Sequence, residues 1–434
     1  MKKRYLILLV GFASLKGLSQ TAAPVASPVP ATEKEYDISF YGFLRTDYIF
    51  DSRKSSSVRE DELNLYPLDV VKDSNGKDIN AVNQSNFLAI TSRLGAKVKG
   101  PNVWGAKMSG TLEGDFYGNS ESAASGNSIG LFRLRHAYIN MDWSKTSVTM
   151  GQTWYPTFIP ECFPGVANFN TGIMFNPFGW ATQVRLKQNL TKEFSVALTA
   201  YKEREFATAA GTNATPSTTD WSQNSGSINS VVPTFNALFQ YKNKTFLVGL
   251  GAEYKSLQPL TKSNNLATTE KVNSTTVFGF AKYSNDKISV KAYGISGGNL
   301  NSLVMLGGFT GTTTANGILS FDPIKTTAYW IDIASNGKSI APGLFFGFTK
   351  NNGASTAATA LSNVYMRGIS GSRVVDNVMR ASARVDFKKN KFRVSPELEY
   401  TTATWGDADL YGKAGANKTD VNNVRVMVSC VYTF

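Results

Sequence analysis

The sequence contains only two cysteines, one histidine and no long apolar run among its 434 residues. So few cysteines exclude a disulfide-rich scaffold. One histidine beside two distant cysteines leaves no ligand set for a zinc site. No stretch approaches the roughly 20 apolar residues that a membrane-spanning helix needs. These absences exclude helical membrane spans, and we expect no cofactor and no bound zinc.

A basic cluster on a helix is also missing. The formal charge is +13, from 45 Lys and Arg against 32 Asp and Glu, but the basic residues are scattered along the chain. Nucleic-acid-binding proteins concentrate such residues on one face, so no nucleic-acid partner is expected. What the sequence does contain is 12% aromatic residues with abundant Gly, Asn, Thr and Ser. This composition is typical of β-sheets joined by polar loops.

The N-terminus has the pattern of a secretory signal peptide. Met1-Lys2-Lys3-Arg4 precedes an apolar run over residues 5–13, which is the order of a signal that is cleaved after export. We assign residues 1–20 to the signal peptide, 21–35 to a flexible leader and 36–434 to one further domain. The leader is too short to fold into a plug, which disfavours a gated, energy-coupled transporter.

The end of the sequence gives the clearest strand. In residues 423–434 every second residue is apolar: Val424, Val426, Val428, Cys430, Tyr432 and Phe434. Side chains alternate between faces along a strand, so this segment has one apolar face and one mostly polar face. A final Phe with an aromatic residue two positions earlier resembles the closing strand of bacterial outer-membrane β-barrels.

The same alternation recurs along the chain, and the connections alternate in length. Short turns of Asn, Asp, Gly and Lys alternate with eight long polar connections: 51–84, 118–130, 156–179, 202–232, 256–271, 297–320, 350–371 and 403–421. A soluble sandwich or propeller would carry similar loops at both ends of its strands. Outer-membrane barrels have short periplasmic turns and long outer loops. We therefore predict an all-β fold, a transmembrane antiparallel β-barrel of about 16 strands, which makes 36–434 a porin-type domain in contact with outer-membrane lipid.

The polar parity of the predicted strands is rich in Arg and Lys. A water-filled channel with an excess of inward positive charge concentrates anions. The candidate pore-lining residues are Arg45, Arg93, Arg133, Arg135, Arg185, Lys187, Arg380, Arg384, Arg393 and Arg425. The alternative is that these charges only pair across the lumen and hydrate it.

Arg133 and Arg135 are the strongest candidates for the selectivity filter. They share one face of one strand, cannot neutralise each other, and Arg binds carboxylates through two hydrogen bonds. We expect both to be unpaired and to face water, so that replacing them with Ser leaves folding intact.

The connection 156–179 differs from the other long ones because it is strongly apolar. Such a loop needs a surface to fold against, and we predict that it enters the lumen and narrows it. Glu161, Phe163 and Phe169 are the candidate constriction residues, with Glu161 facing the basic wall. An outer lid or a subunit contact remains an alternative. Cys162 in this loop and Cys430 in the last strand are expected to be free thiols because they lie far apart.

Three short motifs carry a resemblance to a known family. Tyr41-Gly42-Phe43-Leu44-Arg45-Thr46-Asp47, Phe132-Arg133-Leu134-Arg135-His136-Ala137-Tyr138 and Gly151-Gln152-Thr153-Trp154 are similar to segments of DcaP-like trimeric porins of Gram-negative outer membranes. The resemblance implies a homotrimer that passes small anionic solutes such as dicarboxylates. The sequence departs from the family in lacking the N-terminal heptad coiled coil that some members carry.

Two other classes remain open. An outer-membrane barrel hydrolase would use a histidine as general base, and His136 is the only one. Its parity is opposite to that of Arg133 and Arg135, so we expect it to face lipid or a neighbouring subunit, and we do not expect an enzyme. An adhesive or structural barrel would use the long loops as its working surface. A calcium site among loop Asp and Asn residues also remains open.

Overall fold

Sixteen long strands hydrogen-bond to one another in sequence order, and the last pairs with the first. The computed structural model describes residues 36–59, 61–118, 130–204, 206 and 225–434. The predicted signal peptide and leader lie outside this part of the chain. Every pairing within the sheet is antiparallel, and the sheet closes without a free edge because the last strand pairs with the first. The prediction of a barrel of about 16 strands is confirmed.

The strands of the barrel are numbered here in chain order. They are β1 Asp37–Asp51, β2 Arg93–Val103, β3 Ala106–Asp115, β4 Arg133–Asp142, β5 Thr146–Trp154, β6 Trp180–Asn189, β7 Phe194–Lys202, β8 Thr234–Lys242, β9 Phe246–Leu257, β10 Val272–Ser284, β11 Ile288–Gly298, β12 Leu319–Ser335, β13 Ile340–Gly353, β14 Arg373–Lys389, β15 Phe392–Asp407 and β16 Thr419–Thr433.

Shorter elements occupy the connections. The short strands are Ser55–Val58, Leu63–Pro67, Gln84–Leu88, Lys262–Ser263, Leu266–Ala267, Gly307–Thr313, Val364–Arg367 and Ile369–Ser370, and the helical segments are Ser225–Asn229, Leu300–Leu303 and Leu361–Asn363. None of the helices in the described residues has the length and apolar character needed to cross a membrane.

The connections differ in length at the two ends of the barrel, as the sequence predicted. Seven turns of two to four residues join the strands at one end: 104–105, 143–145, 190–193, 243–245, 285–287, 336–339 and 390–391. Eight longer loops join them at the other end: L1 52–92, L2 116–132, L3 155–179, L4 203–233, L5 258–271, L6 299–318, L7 354–372 and L8 408–418. Short turns are typical of the periplasmic end and long loops of the outer end.

The strands alternate between an exposed apolar face and a buried inner face. On β9, exposure alternates residue by residue from Phe246 to Tyr254. Two phenylalanines of β10, Phe278 and Phe280, do not fit the apolar-outward parity because they point into the lumen, where both are buried. Their rings lie over Gly251 and Gly249 of β9, where an added Cβ would meet ring atoms within about 2.3 Å. Glycine on the neighbouring strand therefore makes room for inward aromatic rings.

The barrel interior is filled on the loop side by three loops. L1 contributes a hairpin made of Ser55–Val58 and Leu63–Pro67, and L6 contributes the segment Leu300–Leu303. L3 lies between them: Phe178 N–H donates to the Leu303 carbonyl at 3.0 Å. Apolar residues of all three loops belong to one buried cluster inside the barrel. The loops thus form a second core, enclosed by the sheet.

The position of His136 differs from the sequence-based expectation. The pairing of β3 with β4 shifts register between Glu113 and Gly114, so that β4 carries an extra residue at this point. Arg135 and His136 are consequently both buried on the inner side, and His136 Nε2 lies 3.8 Å from the Glu113 carboxylate. A β-bulge of this kind resets the alternation of the strand. The expectation that His136 faces lipid is wrong.

Candidate functional site

L3 crosses the lumen and is held at both walls. Tyr293 Oη on β11 donates to the Thr157 carbonyl at 2.9 Å. On the opposite side, Arg45 Nη2 on β1 donates to the Ala167 carbonyl at 2.7 Å. The apolar side chains that made this loop unusual in the sequence are buried between these anchors. L3 thereby divides the lumen and leaves a cavity on its turn side.

This cavity has a volume of about 800 Å³ and is called here the basic cavity. Side chains from the turn at 390–391 belong to its lining, so it reaches the turn end of the barrel. Seven cationic residues line it: Arg45, Arg93, Arg135, Lys291, Lys388, Lys391 and Arg393. Seven aromatic residues share the lining: Phe43, Trp154, Phe158, Phe163, Phe169, Phe178 and Phe392.

No carboxylate is among the residues of the described chain that line the basic cavity. The acids that balance the arginines sit behind them. Asp47 is fully buried and accepts from Arg45 Nε at 2.6 Å, and Glu113 lies 3.5 Å from Arg93 Nε. The cavity surface is therefore positive, whereas the negative charges are placed in the wall. An anion in the cavity meets the cations first.

Arg133 and Arg135 are not unpaired, which corrects the expectation from the sequence. Arg133 Nε lies 2.7 Å from Asp115 Oδ1, and Arg135 bonds Glu113 at 2.7 Å and Asp115 at 3.1 Å. The guanidinium carbon of Arg135 is 4.3 Å from the ring centroid of Trp180. Both arginines are thus part of a buried network, because β3 supplies acids that β4 alone does not reveal.

Three other predicted pore arginines are buried among internal loops and wall. Arg380 is 1% exposed and donates to the carbonyls of Ile173, Asn64 and Leu65. Its guanidinium therefore joins β14 to L3 and to the L1 hairpin. None of the three is among the residues that line the basic cavity.

Arg384 and Arg425 are the other two. Arg384 pairs with Asp332 on β12 at 2.9 Å, and Arg425 contacts both carboxylate oxygens of Asp51 at 2.9 and 2.8 Å. In this arrangement all three arginines are structural anchors.

Arg185 and Lys187 lie on the inner side of β6. Arg185 Nε donates to Thr199 Oγ1 at 3.3 Å and its Nη2 to Gln183 Oε1 at 3.1 Å. Both hydrogen bonds are to neutral side chains, so no carboxylate cancels the charge through these contacts. Neither residue lines the basic cavity, which places them on a separate stretch of the inner wall.

The three candidate constriction residues have different surroundings. Phe169 packs against Arg45, whose guanidinium carbon is 5.2 Å from the ring centroid. The Phe163 carbonyl accepts from Lys291 Nζ at 3.0 Å. Glu161 instead pairs with Lys242 at 2.6 Å, with half of each side chain exposed. Glu161 therefore contacts the turn end of β8 and not the arginine wall, contrary to expectation.

Lys388 and Lys391 of the basic cavity were not identified as site residues from the sequence. They belong to the run Lys388-Lys389-Asn390-Lys391, which reads as an ordinary polar turn. Lys291, on β11, was likewise not among the candidate residues. A lysine-rich turn next to an inward arginine, Arg393, is the one local signal that could have revealed this edge of the cavity.

Two side chains in the loops, outside the membrane-spanning strands, have pKa values that are raised above their ordinary values. Burial raises the pKa of the Cys162 thiol to about 11, and both Cys162 and Cys430 are free, as predicted. Burial, and then the neighbouring Asp47 carboxylate, raise the pKa of Glu62 in L1 to about 8. Among the described residues, no group of three or more His, Cys, Asp and Glu could hold a metal ion.

Comparison with known proteins identifies the family. The model of the DcaP outer membrane protein family matches residues 10–307. The outer membrane channel DcaP of Acinetobacter baumannii is 17% identical, with a TM-score of 0.67 over 93% of this chain and 99% of that one. The anion-selective porin from Comamonas acidovorans is 14% identical, with a TM-score of 0.52 over 92% of this chain and 100% of that one.

A further structure and one negative result complete the comparison. OmpT of Vibrio cholerae is 13% identical, with a TM-score of 0.51 over 93% of this chain and 99% of that one. No curated protein matches the sequence. At these identities the structural neighbours establish the fold, whereas the family model covers most of the chain. The chain therefore belongs to the DcaP outer membrane protein family and is a porin of the outer membrane.

Proposed function

We propose that this porin passes small hydrophilic solutes with a preference for anions. The observation that carries the proposal is the basic cavity, because its lining among the described residues contains seven cationic side chains and no carboxylate. We further propose that the chain is exported by its cleaved signal peptide and works as a homotrimer. The description of one structural neighbour as an anion-selective porin is in line with this proposal.

The selectivity would arise from the field of the cavity and not from one binding residue. Positive charges within a low-dielectric wall raise the local concentration of anions and lower that of cations. Arg93 lies on strand β2, whereas Lys291 lies on β11 across L3. A solute with two carboxylates can therefore meet cations on two sides of the cavity, which makes dicarboxylates suitable solutes.

The aromatic part of the lining supports passage of organic anions. Phe158 stacks on Trp154 with ring centroids 4.0 Å apart, and Phe163 lies 5.6 Å from Phe158. This row of rings offers an apolar surface to the carbon skeleton of a solute, while the cations face its carboxylates. Apolar walls with a few placed charges are the usual composition of a small-molecule site.

The reversal potential in a planar bilayer under a KCl gradient tests the proposal. The wild type should prefer chloride over potassium, and succinate should carry measurable current. Lys388→Gln/Lys391→Gln removes two cavity cations and should shift the reversal potential towards zero. Lys72→Gln/Lys77→Gln removes the same charge from the exposed part of L1 and should leave it unchanged. A cation-preferring wild type would refute the proposal.

A further inference from the structure

The turn end of the barrel is strongly basic. Within three residues of the seven turns the sequence has thirteen Lys and Arg but only three acids, Asp142, Glu193 and Asp286. Some of these cations point into the lumen and belong to the channel. Six others do not line the basic cavity, one for each of six consecutive turns: Lys145, Lys192, Lys244, Lys287, Lys338 and Lys389. We call these six residues the turn-lysine ring.

Each ring lysine is exposed, and within the described residues none forms an ion pair. Four of them lie two residues from an exposed apolar side chain of a strand, and Lys145 lies two residues from the exposed Trp143 of its own turn. Examples are Lys244 beside Phe246 and Lys389 beside Phe387. The sixth, Lys287, is followed directly by the exposed Ile288. An exposed lysine close to an exposed apolar side chain therefore recurs at six consecutive turns of the barrel.

This spacing fixes the height of the lysines relative to the membrane. Aromatic side chains on the outer wall of a barrel mark the boundary between the lipid tails and the headgroups. A lysine two residues further along, on a flexible stem, extends its ammonium group into the headgroup layer. Turns of two to four residues reach only a few ångströms beyond the strands. The ammonium groups thus lie at the level of lipid phosphates, and not far out in the periplasm.

We propose that the turn-lysine ring binds anionic phospholipid headgroups of the inner leaflet of the outer membrane. Charge complementarity selects the ligand, because ammonium groups without carboxylate partners face a layer that contains phosphate diesters. The ring would surround the porin with anionic lipids and fix its depth in the membrane. A periplasmic anionic polymer is not the partner that we propose. To bind it, the ammonium groups would have to project further into the periplasm than these short turns allow.

A triple variant tests the proposal with a matched control. Lys244→Gln/Lys338→Gln/Lys389→Gln removes three ring lysines that lie in, or directly beside, turns that contain no acid. Lys72→Gln/Lys77→Gln/Lys413→Gln removes the same charge from exposed positions at the loop end. Each protein is placed in nanodiscs of phosphatidylcholine and phosphatidylglycerol, and the lipids retained on the protein are counted by native mass spectrometry. Channel formation in a planar bilayer checks that each variant is folded.

The wild type should retain phosphatidylglycerol in excess over its share of the nanodisc. The ring variant should lose this enrichment by up to about fivefold for each lysine, and the loop control should keep it. Unchanged enrichment in the ring variant would overturn the proposal, as would an equal loss in both variants. Loss of binding to sedimented peptidoglycan with unchanged lipid enrichment would also overturn it, because the partner would then be the polymer.

Discussion

Several arginines in this protein are buried and connect strands and loops, and their positions in the sequence do not reveal this role. Arg133 and Arg135 look like unpaired pore residues within β4, yet both bond to acids of β3. In the sequence Arg380 also has the pattern of a pore residue, yet its guanidinium donates hydrogen bonds to three carbonyls of two internal loops. Strand parity correctly indicates an inward side chain, but it contains no information on partners from other strands. Only the structure shows which inward charges remain accessible to a solute.

The first prediction concerns the Arg133–Arg135 pair. Arg133→Ser/Arg135→Ser removes both guanidinium groups that pair with the buried Asp115, and it leaves Glu113 with the more distant Arg93, at 3.5 Å. Breaking a buried ion pair from one side costs about 3 to 5 kcal/mol, so the double variant should unfold at a clearly lower urea concentration. Adding Asp115→Asn/Glu113→Gln should restore part of the stability. Wild-type stability of the double variant would show that the network is dispensable.

The second prediction concerns Glu62, whose pKa is raised from 4.5 to about 8 by burial and by Asp47. When the L1 hairpin is docked, Glu62 holds its proton over the window between these two values, whereas a solvated Glu62 loses it. The docked state therefore binds more protons, and docking should weaken as the pH rises from about 4.5 to about 8. The charged side chains near Glu62 are Asp47, Arg45 and Arg425.

Hydrogen exchange of the amides in Leu63–Pro67 measures this docking, after correction for the intrinsic pH dependence of exchange. Protection should fall with rising pH in the wild type and stay flat in Glu62→Gln, which cannot ionise. Equal slopes in both proteins would assign the effect to another group.

At the scale of elements, the strands were predictable and the folded loops were not. Alternation of apolar and polar residues is a local pattern, so β9 and β16 can be recognised from their own residues. The bulge at Arg135 and His136 adds one residue without a local signature, and it inverts the parity of the rest of β4. The position of the L1 hairpin depends on contacts with β14 and L3 that are distant in sequence.

The third prediction concerns that hairpin. Replacing residues 55–67 with a short Gly-Ser linker removes one of the three loops that fill the barrel on the loop side. Single-channel conductance should rise, on the order of twofold, because the open cross-section increases. Chloride preference should remain, since the hairpin does not line the basic cavity.

A deletion elsewhere in L1 is the matched control. Residues 70–80 belong to the same loop but are mostly exposed, so shortening them should leave the conductance unchanged. Equal conductance of the hairpin variant and the wild type would show that the hairpin does not limit ion flow.

At the scale of the whole molecule, the fold class follows from two global regularities of the sequence. Alternating strands and the sequence of short and long connections predict the barrel and its orientation before any contact is known. The basic character of the lumen was also predictable from the polar parity. The shape of the cavity was not, because L3 decides which inward cations remain open, and its path depends on anchors such as Tyr293 and Arg45.

The fourth prediction concerns the field of the whole cavity. A preference that arises from several separated charges is screened by salt, since the Debye length falls from about 10 Å at 0.1 M to about 3 Å at 1 M. The ratio of chloride to potassium permeability should therefore decline steadily as both solutions are made more concentrated. A ratio that does not depend on salt would indicate a single tight anion site, for which direct contacts replace the long-range field.

The seam between β1 and β16 has a consequence for how the protein is made. Phe434 N–H donates to the Gly42 carbonyl at 3.1 Å, Gly42 N–H donates to the Phe434 carbonyl at 3.3 Å, and the Phe434 ring occupies the space above Gly42. The last strand of the barrel in chain order is thus the partner of the first. A nascent chain cannot complete the cylinder while it is still emerging, so every intermediate exposes two unpaired edges. Closure of the barrel must therefore wait until β16 has been synthesised, and until then both strand edges are open to pairing with other chains.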